Sequence, residues 1–87
     1  MPWRWANLDR VLDPWMAAHA AAVDEQARSA VLFHMCRLAE DGDLVTGELV
    51  PRHSALVRRY YVHEARSCII WLRAEQYHCL NLIAIQT

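Results

Sequence analysis

An 87-residue chain with a net charge of −1 is the size of one small domain, and its composition excludes several kinds of protein. A domain this short buries only about two thirds of the surface its unfolded chain exposes, so its own core supplies modest stability. Nine arginines, no lysine and ten acids leave no overall basic excess of the sort that marks a nucleic-acid binder.

The cysteines Cys36, Cys68 and Cys79 are odd in number and each lies in an apolar run. That pattern predicts reduced, core-packed thiols of a cytoplasmic protein rather than a disulfide framework. Without staples, a homodimer or a hetero-complex is the expected source of further burial. The first residues show no cationic region leading into an apolar run and a small-residue cleavage site, and no apolar stretch reaches bilayer length, so no membrane association is expected. The charge is unevenly spread. Acids dominate from Asp9 to Glu48, whereas Arg52, Arg58, Arg59, Arg66 and Arg73 face a single acid, Glu64, in the segment they span.

In chain order, Trp3 and Trp5 alternate around Arg4 and suggest a short strand. Leu8, Val11, Leu12, Trp15, Met16, His19, Ala22 and Val23 recur at helical spacing. Asp13-Pro14 interrupts this stripe, so either a helix starts at Pro14, where proline is tolerated, or a short turn over 7–12 precedes it. Either Asp24 caps a second helix running to about Glu40 or the first helix continues through, with Ala27, Val31, Met35 and Leu38 on one stripe and Ala30, Phe33, Cys36 and Ala39 widening it. Gly42 offers a left-handed cap at its exit, and the segment 44–51, with a Gly and a Pro, reads as loop or ragged edge.

Three strands then follow, over about 55–63, 66–75 and 78–86, rich in Val, Ile, Tyr, Trp and Leu. Their short connections require antiparallel pairing, though neither holds Asn-Gly or Asp-Gly. The reading is thus a single α+β domain, 1–87. Two N-terminal helices (1–42 mainly helical) pack on a C-terminal antiparallel meander of three or four strands (54–87).

Alternation divides the middle strand into an all-apolar face, Cys68, Ile70, Leu72 and Ala74, and a mixed one, Ser67, Ile69, Trp71, Arg73 and Glu75. The all-apolar face is expected against the helices, with Ile70 and Leu72 in the core. The other face would then present Trp71 and isoleucines among Arg, Tyr and His, the mixture found on binding surfaces. A one-residue slip exchanges the faces.

The segments "DEQARSAVLFHMCRLAEDGDL" (24–44) and "ALVRRYYVHEARSCIIWLRAEQYHCLNLIAI" (55–85) resemble the second helix and the C-terminal meander of the RelE/ParE toxin superfamily of type II toxin–antitoxin modules. The resemblance covers most of the chain and rests on pattern. Arg66, just before "CIIWL", stands where many members carry an Arg at the start of the middle strand, and Arg58 and Arg59 lie on a strand that is often basic. The resemblance implies a toxin-like component neutralised by a small antitoxin. Its target would be the translation machinery, through metal-independent mRNA cleavage on the ribosome, or DNA gyrase, through binding alone. Ribosome-dependent members are strongly basic and place catalytic Arg, Tyr or His residues at the end of the chain. Here the charge is −1 and none follows His78, which favours binding over cleavage.

For metal-free RNA cleavage the candidate catalytic groups are Arg59, Tyr61, His63, Arg66 and Arg73, which combine proton transfer with stabilisation of phosphorane charge. The competing reading is a polar sheet face that docks on a larger protein, as a non-enzymatic phage- or host-encoded inhibitor would. Trp3, Trp5 and Trp71 are the candidate interface residues, with core packing the equal alternative for these tryptophans. No metal site is expected, because His63, Cys68, His78 and Cys79 lack ligand spacing and neighbours on a strand point apart. With only two glycines there is no phosphate-binding loop, and no cofactor is expected.

Overall fold

The computed structural model describes residues 2–41, 48–49 and 57–87. The helix exit at Gly42, the first two residues of the first predicted meander strand and all of 44–51 except Glu48–Leu49 lie outside them; those two residues form a short strand at the edge of the sheet. Strand β1 is Arg4–Ala6. Asn7, in the left-handed region at φ 65°, then turns the chain into a π-helical turn, Leu8–Leu12. The amides of Arg10 and Val11 both donate to the Asn7 carbonyl, at 3.2 and 3.1 Å. Helix α1 follows as Asp13–Ala18, with Pro14 in its first turn, where a missing amide costs nothing. A turn therefore does precede Pro14. The stripe running on to Val23 is broken at His19, and Val23 itself is 87% exposed. The guanidinium of Arg28 closes this corner by donating to the carbonyls of His19 and Ala21, at 2.5 and 2.7 Å.

A 3₁₀ turn, Ala22–Asp24, leads into helix α2, Glu25–Asp41. Val31, Met35, Leu38 and Ala39 are buried and Ala27 and Ala30 half-buried, as the stripe predicts. Phe33 and Cys36 are exposed instead of widening it, together with Leu32. On a helix wheel these three lie opposite Val31 and Leu38, beyond the reach of the sheet. Of the three thiols only Cys79 is buried; Cys68 is half-buried and Cys36 lies in the open.

The remaining strands are β2 (Glu48–Leu49), β3 (Val57–Val62), β4 (Ser67–Ala74) and β5 (Cys79–Gln86). They form one five-stranded sheet in the order β1-β5-β4-β3-β2. The β3–β4–β5 meander is antiparallel, as read from the sequence. The sheet as a whole is mixed, because β1 runs parallel to β5 at the far edge. The helices carry the chain away from β1 before the meander begins, and a helical connection between strands permits a parallel pair. No helix among the described residues is long and apolar enough to cross a membrane.

Both meander connections have the same build. A 3₁₀ turn, His63–Ala65 or Glu75–Tyr77, is followed by one left-handed residue, Arg66 or His78, each at φ 49°. The amides of Arg66 and His78 donate back to His63 and Glu75, at 3.1 and 3.0 Å. Connections of this length do without Asn-Gly but need one left-handed position, which favours glycine. Replacing Arg66 by glycine is accordingly expected to raise the urea midpoint, by the equivalent of about 1 kcal/mol, because a Cβ in this conformation crowds the next carbonyl. A lower midpoint would mean that the arginine side chain contributes more than its backbone strain costs.

Registry corrects the expected faces. Cross-strand partners share a face, and β3–β4 pairing runs without interruption from Val57↔Leu72 to Val62↔Ser67. The face against the helices carries Tyr60 and Val62 from β3, Ser67, Ile69 and Trp71 from β4, and Leu80 and Leu82 from β5. Val62, Ile69, Trp71, Leu80 and Leu82 are fully buried there. Ile70 and Leu72, expected in the core, lie on the other face and are only half-buried. The helix layer covers the bulkier set. Trp71 meets the edge of Trp5 at 6.2 Å, and the core continues to Leu12, Trp15, Val31, Met35 and Leu38. A β-bulge adds a second shift. Ile70 pairs with Ala84 but Trp71 with Leu82, so Ile83 is the extra residue. It bulges out, 46% exposed, and the alternation reverses past it, bringing Ile85 rather than Ala84 onto the core.

Candidate docking face

The side of the meander that no described helix covers is aliphatic along its middle. Val57, Cys68, Ile70, Leu72, Ala74 and Ala84 share it, all half-buried, with the polar Asn81 beside Leu72 and Gln86 beside Cys68. An antiparallel sheet that meets water on one side normally places polar residues there, so this run of apolar side chains sets the face apart.

One corner of this face is cationic and aromatic. Arg59 and Tyr61 project from β3 on the open side, opposite Ile70 and Cys68. Tyr61 is 48% exposed, and its ring stands at right angles to that of His63, with centroids 4.9 Å apart. Arg66 is exposed on the same turn, its amide bonded to the His63 carbonyl. Two acids border this corner: Glu48 on β2 is the cross-strand partner of Arg59, and Glu64 leans toward the helix side, where its Oε2 lies 4.0 Å from Nε2 of His34. Two guanidiniums, an imidazole and a phenol thus border the aliphatic strip. Arginine in such a place pairs in bidentate fashion with a carboxylate or phosphate and keeps its charge at any working pH.

The fifth expected catalytic group is elsewhere. Arg73 shares the helix-facing side of β4 with Ile69 and Trp71, at the end of the strand remote from Arg66. Its side chain is 14% exposed, and Nη2 lies 2.8 Å from Oε1 of Glu75. The guanidinium also sits over the ring of Trp3, at 5.9 Å, and Trp3 stacks on His78 with centroids 4.3 Å apart. Strand parity explains the separation. Arg59 faces Ile70, and Arg73 is three residues beyond Ile70, hence on the opposite side. Arg59, Tyr61, His63 and Arg66 are brought to one corner; Arg73 is not.

The three tryptophans read as interface residues are held within the chain. Trp71 is fully buried, a correction that follows from the exchanged faces. Trp5 is half-buried and donates its indole N–H to the Met35 carbonyl at 2.8 Å. Trp3 is half-buried, and its amide donates to Ala39 at 2.7 Å. Trp3, Arg73 and His78 together clasp β1 to the β4–β5 turn. Trp3→Ala is expected to cost about 2 kcal/mol, less than a fully buried tryptophan, and to speed hydrogen exchange at the amides of β1 above all others. Unchanged exchange there would remove this role.

An open depression of about 720 Å³ adjoins the β4–β5 turn, lined by Leu72, Arg73, Ala74, Glu75, Gln76 and Tyr77. It lies at the opposite end of β4 from the basic corner. Among the described residues no group of three or more His, Cys, Asp or Glu side chains is placed to hold a metal ion. The His34–Glu64 pair was not singled out from the sequence. Its members are thirty positions apart, and only the packing of α2 beside the β3–β4 turn brings them together.

The structure is that of an α+β protein whose mixed sheet is covered by helices on one side; among the described residues no helix covers the other side, which is aliphatic along β4 with polar residues beside it. No protein-family model matches the chain, and neither a curated protein nor a solved structure matches it.

Proposed function

We propose that this protein acts by docking the open face of its sheet on another protein, as a toxin-like component of a type II toxin–antitoxin module whose small partner neutralises it. The supporting observation is the aliphatic strip Cys68, Ile70, Leu72 and Ala74 with Arg59, Tyr61, His63 and Arg66 at its rim. Apolar centres with arginine and tyrosine beside them are the composition of protein interfaces. Binding is favoured over RNA cleavage because Arg73, needed to complete the candidate catalytic set, is engaged by Glu75 on the opposite side. The remaining four lie along β3 and the turn that follows it. Among the two targets implied by the family resemblance, this favours the gyrase-like mode, in which binding is sufficient.

The test is induced expression of the wild-type chain and of Arg66→Ala, scored by growth and by mapping of mRNA ends. Growth arrest with intact mRNA is the expected result. New mRNA ends that vanish in Arg66→Ala would overturn the binding reading in favour of a ribonuclease, since loss of one charge contact at a transition state typically slows a reaction about 10²–10³-fold. No arrest at all would favour the other docking reading, an inhibitor directed at a different target.

A further inference from the structure

We draw no further inference here: the strongest candidate, the open depression at the β4–β5 turn lined by Leu72, Arg73, Ala74, Glu75, Gln76 and Tyr77, borders the docking face already described, and nothing in the structure shows what fills it.

Discussion

Trp71→Ala is expected to be among the most damaging single substitutions in this protein, costing about 3–5 kcal/mol in urea unfolding. The indole is fully buried in the centre of the sheet, flanked by Leu82 and Arg58 on the neighbouring strands and by the edge of Trp5. Truncation removes a large apolar surface and leaves a cavity between sheet and helices. Small domains are stable by only about 5–15 kcal/mol, so the loss takes a large share of the total. Trp71→Phe should cost clearly less. It keeps most of the ring and removes an indole N–H that is buried and finds no acceptor among the described residues. The decisive comparison is with Ile70→Ala on the open face, expected to cost only about 1 kcal/mol because its side chain already meets water. Equal or greater damage from Ile70→Ala would restore the arrangement first read from the alternation, with Ile70 and Leu72 inside.

Ile70→Glu should have the reverse profile, leaving the fold intact while abolishing function. The substitution adds a charge at the centre of the open face, where water can solvate it in the free protein. In a docked complex the same carboxylate is desolvated against a partner shaped for an aliphatic surface. Interface anchors of this kind lose about 2 kcal/mol or more on disruption, which is a ~30-fold weakening of binding. The measurement pairs a urea curve with the inducer concentration needed for growth arrest. A near-wild-type midpoint with arrest shifted to much higher inducer, or lost, is the expected outcome. Unchanged arrest from a folded Ile70→Glu would show that this face is not where the protein acts. The neighbouring Ile69→Glu serves as the contrast, since it buries a charge in the core and is expected to unfold the chain outright.

The contrast between Ile69 and Ile70 marks the limit of what could be read without tertiary structure. Periodicity located α2 to within a residue, because Val31, Met35 and Leu38 repeat at helical spacing and are the residues that pack. Strands β4 and β5 fall within a residue of their expected bounds, since β-branched and aromatic runs between short polar turns have few other conformations open to them. The antiparallel meander followed from the length of its connections. Arg59, Tyr61, His63 and Arg66 share a corner because they are close in sequence on one strand and the turn after it. Local spacing was enough for that.

Faces and edges were decided otherwise. Both sides of β4 are apolar, so alternation divides its residues into Ile69 with Trp71 and Ile70 with Leu72 but does not say which pair the helices cover. That choice belongs to the fit of Trp71 against Trp5 and the α2 stripe, a contact between segments far apart in the chain. The bulge at Ile83 is equally invisible in "CLNLIAI", and it moves Ile85 inward where strict alternation would place Ala84. Arg73 looked like a partner of Arg59 by residue type; the uninterrupted β3–β4 register sets it on the other side, against Trp3 and Glu75. The parallel seat of β1 beside β5 and the His34–Glu64 pair likewise depend on how the helices cross the sheet. Spacing along the chain specifies what each segment can form and which side chains travel together. Burial, which depends on what arrives from elsewhere in the chain, selects the side that becomes core and the side left open to a partner.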